Sequence, residues 1–245
     1  MKQYGLIGFP LGHSFSKKFF TEKFERENID ARYDLYELAN IAEFAALKDK
    51  HELCGLNVTI PYKEQVIPFL DELDDTAAKI GAVNVIKFIR TGDKLVLRGY
   101  NSDAIGFENS LKPLLKPHHT KALILGTGGA SKAIDYTLHK LGIATTFVSR
   151  TAKPGMLTYA ELNAATINDY TVIVNASPVG TFPHSDECPD IPYEFLTDKH
   201  LLFDVVYNPA LTLFLKKGNE QGAQGLNGEG MLTGQAIAAW DIWNK

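Results

Sequence analysis

Cysteine is nearly absent, with only Cys54 and Cys188 in 245 residues. Two thiols exclude a disulfide framework and a multi-cysteine metal site, and they read as reduced thiols, with Cys54 a candidate for a core position. The seven histidines show no ligand spacing, and His118-His119 sits in the polar, proline-broken stretch Lys116–Thr120, which reads as surface rather than metal site. No apolar run approaches the ~20 residues needed to span a bilayer. The start, MKQYGLIGFP, is interrupted by Gly5, Gly8 and Pro10, so no signal peptide is read there and a cytoplasmic setting is expected. Charge of one sign is also missing: a net −4 and a pI near 6.0 give no reason to expect nucleic acid or a membrane surface as partner. Internal repeats and low-complexity segments are lacking too. What remains is a hydrophobic fraction of 45% and a charged fraction of 22%, ordinary for a globular protein of one large or two modest domains.

Against this plain background one stretch stands out, KALILGTGGASKA from Lys121 to Ala133. Ala122 to Leu125 read as a short buried strand. Gly126, Gly128 and Gly129 follow, then a helix-forming run from Ser131 to Leu141. A strand feeding a glycine turn that opens a helix gathers backbone N–H groups and the positive helix end at one point, which suits a pyrophosphate. Glycine turns are common and most hold no nucleotide, and Ser131 departs from the Gly-x-Gly-x-x-Gly spacing. The next strand, Ala144 to Val148, supplies the context. It ends in Ser149-Arg150-Thr151, with Lys153 beyond. An NAD site calls for Asp or Glu near this position to hold the ribose 2′-hydroxyl. Here a guanidinium and an ammonium stand instead. Alone they read as a solvated basic loop; after the glycine turn they favour the 2′-phosphate of NADP.

The rest of the chain alternates strands and helices, which predicts an α/β fold with mainly parallel sheets. Gln3–Ile7 is expected as a strand and Lys17–Glu27 as a helix, with Ser16 as N-cap. Ser14 and Ser16 can donate to a small anion such as a carboxylate, although capping alone accounts for either. Tyr33–Leu38 and Ala42–Leu47 are expected as strand and helix. Leu56, Val58 and Ile60 alternate with Asn57 and Thr59, predicting a half-buried strand with both polar groups on one face. Pro61 stops it, and Lys63 begins a helix to Leu70. Lys63 is an exposed lysine on the bland reading and an ammonium aimed at a substrate oxygen on the functional one. Gly81-Ala82-Val83-Asn84 opens another strand to Ile89, and its return at Leu95–Leu97 makes a hairpin around Thr91-Gly92-Asp93. Asp103 precedes a helix from Ala104 to Leu115, where an N-cap is its commonest job. Later strands are expected at Thr171–Asn175 and Leu201–Val206, a loop at 181–192, and helices at Leu211–Lys217 and Met231–Trp243. Leu232, Ile237, Trp240 and Trp243 give the last helix an apolar side.

These segments together resemble the shikimate dehydrogenase family over nearly the whole chain. The resemblance is carried by His13-Ser14-Phe15-Ser16, Asn57-Val58-Thr59-Ile60-Pro61-Tyr62-Lys63, Gly81-Ala82-Val83-Asn84 and Asn101-Ser102-Asp103. It continues through Gly126-Thr127-Gly128-Gly129-Ala130, Ser149-Arg150-Thr151, Asn175-Ala176-Ser177-Pro178-Val179-Gly180, Val206-Tyr207-Asn208-Pro209 and Gly230-Met231-Leu232 with Gln235. It implies an N-terminal α/β substrate-binding domain, residues 1–103 plus 226–245, and a Rossmann-like NADP domain, residues 104–225, with the C-terminal helix returning to the first. By motif, Ser14 and Ser16 would bind a substrate carboxylate. Asn57, Thr59, Asn84, Asp103, Tyr207 and Gln235 would surround the ring and its hydroxyls, and Lys63 and Asp103 would be the catalytic pair. Gly126, Thr127, Gly128, Gly129, Ala130, Ser149, Arg150, Thr151, Lys153, Ser177, Val205, Gly228 and Met231 would meet the cofactor. No metal is implied.

The implied reaction is reversible hydride transfer between NADPH and the C3 carbonyl of 3-dehydroshikimate, giving shikimate, by a monomer or homodimer. The sequence departs from the family pattern at Lys17, Val85, Ser102, Ser149 and Thr181, where proline, threonine, threonine, asparagine and methionine are usual. Three alternatives stay open: a quinate/shikimate dehydrogenase of relaxed specificity, a non-catalytic NADP-binding protein of this fold, and a folate-linked dehydrogenase of similar architecture.

Overall fold

The computed structural model describes residues 1–12, 14–50 and 52–245, so the His13 of the first motif lies outside the described residues. The chain forms two compact units, Met1–Ser102 with Gln235–Lys245, and Asp103–Gly234.

The first unit is built on a six-stranded mixed sheet. Its elements are β1 (Lys2–Gly8), α1 (Phe15–Arg26), β2 (Ala31–Glu37), α2 (Phe44–Lys48), β3 (Leu53–Val58), α3 (Tyr62–Gln65), β4 (Glu72–Leu73), α4 (Asp75–Ile80), β5 (Val85–Thr91) and β6 (Lys94–Tyr100). The strand order is β2-β1-β3-β5-β6-β4. β1, β2 and β3 run parallel, while β5 is antiparallel to both β3 and β6, the predicted hairpin, turning at Gly92 with φ 59°. Each face of the sheet carries a core. One gathers Ile7, Leu56, Val58 and Ile86 with Phe44 and Val66. The other gathers Tyr4, Leu6, Tyr33 and Val85 with Phe20 and Phe24 of α1 and Ala236, Ala239 and Trp243 from the end of the chain. Trp243 packs at a tilt against Tyr4 and Phe20, with ring centroids 4.8 and 5.2 Å away, and its indole N–H donates to the Ile86 carbonyl at 3.1 Å.

Several expectations change here. α1 begins at Phe15 and its N-cap is Ser14, whose Oγ accepts the Lys17 N–H at 3.3 Å, so Ser16 lies inside the helix. β3 is not half-buried: Gly55 through Val58 are buried on both faces, because it is a central strand covered on each side, and Ile60 beyond its end is 64% exposed. The helix expected from Lys63 to Leu70 is the four-residue α3 followed by a 3-10 turn at Ile67–Phe69, where Pro68 removes a backbone donor.

The second unit comprises α5 (Asp103–Leu111), β7 (Lys121–Leu125), α6 (Gly129–Lys140), β8 (Ala144–Ser149), β9 (Leu157–Thr158), α7 (Ala164–Asp169), β10 (Val172–Asn175), β11 (Leu201–Asp204), α8 (Leu213–Glu220) and β12 (Gln224–Leu226). The order β12-β11-β10-β7-β8-β9, with every pairing parallel, is the doubly wound arrangement in which the strand order reverses between β7 and β10. Ala122 and Ile124 feed one core and Leu123 and Leu125 the other, which is why β7 reads as an unbroken apolar run. α9 (Glu229–Asn244) closes the chain, its residues from Gln235 onward belonging to the first unit. Its buried positions include Ala236, Ala239 and Trp243, whereas Ile237, expected on the apolar side, is 52% exposed.

His119 is also buried rather than at the surface. Its Nδ1 accepts the Lys116 N–H at 2.9 Å and its Nε2 meets the Lys199 carbonyl at 3.1 Å, so the ring is held neutral, and burial pushes its pKa down. Among the described residues no helix is long and apolar enough to cross a membrane, and no group of His, Cys, Asp and Glu could hold a metal ion.

Candidate active site

In the first unit the side chains expected to hold substrate converge on a buried polar chain. Tyr33, on β2, is fully enclosed, and desolvation pushes its pKa well above the ordinary phenol value, so it stays a neutral donor. Its hydroxyl donates to Asn57 Oδ1 at 2.7 Å, and the Ser16 hydroxyl bonds to the same phenol. Asn57 Nδ2 donates onward to the Asn84 carbonyl at 3.4 Å. Asn84 Oδ1 accepts the backbone N–H of Ser102 at 2.7 Å, a donor that cannot reverse, so its other end must be the amide nitrogen. That nitrogen donates to Ser102 Oγ at 3.0 Å and to Gln235 Oε1 at 3.1 Å. Gln235 is left with its own N–H groups to offer. The Ser102 backbone N–H therefore dictates the direction of Asn84 and, through it, that of Gln235.

Lys63 and Thr59 lie close to this chain. The Lys63 carbonyl accepts the Val83 N–H at 2.7 Å, which ties α3 to the residue before Asn84. In a helix of four residues the opposing dipole is small, so a half-buried lysine is tolerated at its second position. Thr59, just past β3, is half-buried, and its N–H donates to the Ile7 carbonyl at 2.9 Å. Ser14 keeps a hydroxyl proton after accepting the Lys17 N–H. Of the remaining expected residues, Asp103 is the buried first residue of α5, and Tyr207, after β11, is 42% exposed; both belong to the second unit. Sequence reasoning missed Tyr33 as a polar group. Its signal was a phenol at an inward-facing position of an alternating strand.

In the second unit the glycine turn lies where the strand order reverses. Gly126 has φ 110°, a value that favours glycine, and a Cβ there would stand 3.3 Å from the Ala176 carbonyl and from Ser177. α6 starts at Gly129 with Gly128 as an N-cap that offers no side chain, so its first-turn N–H groups have no side-chain cap. A Cβ at Gly128 would meet nothing within 4 Å. A helix of 12 residues with an uncapped start beside an open glycine suits a pyrophosphate.

Across the turn, Asn175 organises the wall. Its Oδ1 accepts the Ser177 N–H and hydroxyl at 3.1 and 2.6 Å, and its Nδ2 donates to Val179 O and to Asp204 Oδ1 at 3.2 and 2.9 Å. Asp204 also accepts the Val206 N–H at 3.0 Å and the Thr212 hydroxyl at 2.6 Å; burial pushes its pKa up to about 6 despite these donors. This buried carboxylate was passed over in the sequence as part of an apolar strand. Gly228 lies so close to the Val205 backbone that any Cβ would collide with its carbonyl, and Met231 is buried in the same unit. Ser149 is buried at the end of β8, whereas Arg150, Thr151 and Lys153 are exposed just beyond it, with no carboxylate among them. Backbone donors at the helix start, a glycine that admits close approach, and two cations after β8 fit NADP.

The fold and these sites define an α/β protein with a dinucleotide-binding unit and a second unit carrying a polar, amide-rich cluster. Comparison with known proteins agrees. A family profile described as "Shikimate dehydrogenase substrate binding domain" matches residues 6–86. The shikimate dehydrogenase (NADP(+)) of Aquifex aeolicus is 38% identical over 98% of this chain and 90% of its own length, and that of Methanosphaera stadtmanae 34% over 98% and 90%. The crystal structure of the Aquifex aeolicus enzyme superposes with a TM-score of 0.85 at 36% identity, covering 99% of this chain and 92% of its own. The Thermus thermophilus enzyme, solved with NADP(H) and shikimate, gives 0.85 at 27% identity, covering 99% and 93%. The chain belongs to the shikimate dehydrogenase family.

Proposed function

We propose that this protein is an NADP-dependent oxidoreductase that interconverts 3-dehydroshikimate and shikimate, a step of aromatic amino acid biosynthesis, in the cytoplasm as a monomer or homodimer. The observation that carries the reading is the amide chain of Asn57, Asn84 and Gln235, joined through Tyr33 to Ser16. Donors of this kind suit a small ring bearing oxygens, and the Ser14 and Ser16 hydroxyls suit its carboxylate. On this reading the first unit binds substrate through Ser14, Ser16, Asn57, Thr59, Asn84 and Gln235, with Tyr207 and Asp103 on the second.

NADPH supplies the hydride when bound. The α6 start and Gly126–Ala130 hold its pyrophosphate, and Ser149, Arg150, Thr151 and Lys153 its 2′-phosphate. Ser177, Val205, Gly228 and Met231 complete its seat. Negative charge that develops on a carbonyl oxygen calls for a proton, and Lys63 is the group proposed to supply it, with Asp103 as its catalytic partner. A solved 5-ketofructose reductase from Gluconobacter, 27% identical with a TM-score of 0.83, keeps substrate choice a matter for direct test.

The test is NADP⁺ reduction at 340 nm with shikimate, alongside quinate, NAD⁺ and, in reverse, 5-ketofructose. Turnover with shikimate and NADP⁺ well above every other pair is expected. Turnover only with another pair, or none despite NADP⁺ binding, overturns the assignment.

A further inference from the structure

Tyr33 lies outside the family motifs, yet it is the group on which two of the proposed substrate-binding side chains depend. The phenol is enclosed between Phe20, stacked at 4.8 Å and 12°, and the sheet, which holds its hydroxyl beside Asn57 and Ser16. It gives its proton to Asn57 Oδ1 at 2.7 Å and receives the Ser16 hydroxyl. With Oδ1 committed, Asn57 presents its amide nitrogen, which reaches the Asn84 carbonyl at 3.4 Å and keeps a second N–H. Turning the amide over would set its oxygen against that carbonyl, acceptor to acceptor. The same phenol oxygen gives the Ser16 hydroxyl a resting acceptor, which an arriving carboxylate, as the stronger acceptor, can displace.

We propose that Tyr33 is a positioning residue for substrate binding: it fixes Asn57 as an N–H donor and holds Ser16 toward an incoming carboxylate. This rests on the substrate reading above. The consequence is that substrate oxygens facing Asn57 must be acceptors, while Tyr33 itself stays out of reach of substrate.

The experiment compares Tyr33→Phe, Asn57→Ala and the double variant in shikimate oxidation with NADP⁺. Tyr33→Phe is expected to raise KM for shikimate roughly 5- to 10-fold, the worth of one neutral hydrogen bond, with kcat and KM for NADP⁺ little changed. On the Asn57→Ala background the same change should raise KM by less, because only the part that acts through Ser16 remains. An unchanged KM in Tyr33→Phe, or equal rises on both backgrounds, overturns the proposal. The double variant removes the Tyr33–Asn57 pair together and leaves only the Ser16 hydroxyl without its acceptor, and if Tyr33→Phe proves too unstable, a small further rise over Asn57→Ala supports the proposal and a rise of about 5-fold or more overturns it. The Asn57 side-chain amide resonances, assigned by their loss in Asn57→Ala, give a reading that needs no substrate. They should move in Tyr33→Phe, and their staying in place sinks the positioning role. Absence of wild-type turnover would instead sink the substrate reading, with the resonances still deciding the role of Tyr33.

Discussion

Replacing Asp204 by Asn is expected to change how stability follows pH. The carboxyl is buried at the end of β11, and desolvation raises its pKa from 3.8 to about 6, although Thr212, Val206 and Asn175 all donate to it. A rise of about two pH units corresponds to about 3 kcal/mol. The folded state holds this proton more tightly than the unfolded chain. Its contribution is therefore complete below pH 3.8, declines as pH climbs, and is spent once pH has passed about 6. Roughly 1 kcal/mol is lost by pH 4.5 and about 2 more by pH 8. An Asn at this position does not titrate. Its oxygen can keep the Val206 and Asn175 donors, and its nitrogen can donate to Thr212 Oγ1, whose hydroxyl now turns away. Urea unfolding of both proteins between pH 4.5 and 8 measures the difference. The gap should move in favour of Asp204→Asn by about 2 kcal/mol as pH rises across that range. A gap that stays constant refutes the argument that burial outweighs the three donors.

Three further outcomes follow from the site and the core. Lys63→Ala should lower kcat roughly 10²- to 10⁴-fold, the usual worth of a positioned proton donor, while shikimate binding measured by calorimetry changes far less; an unchanged kcat removes Lys63 from the chemistry. Arg150→Ala should raise KM for NADP⁺ roughly 10- to 100-fold and leave KM for NAD⁺ nearly as it was, as expected for a charge-assisted contact to a 2′-phosphate. A parallel rise for both cofactors would place Arg150 elsewhere. Gly55→Ala forces a methyl into the Trp243 indole, which its bond to Ile86 O and its packing on Tyr4 and Phe20 hold in place. A loss of about 1–3 kcal/mol in unfolding free energy is expected, and wild-type stability would show that the indole yields.

What could be read from the sequence was local. The glycine turn, the strand before it and the helix after it are consecutive residues whose chemistry announces one geometry. The β5–β6 hairpin is legible for the same reason. The meeting of Asn84 with Gln235 is legible only through the family resemblance, since 151 residues separate them and only the return of α9 brings them together. β3 was misread because alternation signals a wet face only where one face is wet, and a central strand covered on both sides hides its asparagine in the interior. Tyr33 escaped notice because it is the one buried residue of a strand that also carries Arg32, Asp34 and Glu37, and Asp204 because it ends an otherwise apolar strand. A phenol or carboxylate within such a run is a prompt to ask which partner satisfies it.

The first unit is made of the beginning of the chain and its last eleven residues, Gln235–Lys245. A ribosome delivers Tyr4 and Phe20 more than two hundred residues before it delivers Trp243, the ring that packs between them and Gly55. During synthesis every strand of both sheets is made before the helix that covers Tyr4, Phe20 and Phe24. The first unit, begun earliest, thus has a core that waits longest for its last part. Over that interval Tyr4, Phe20 and Phe24 are the surface on which a chaperone would act.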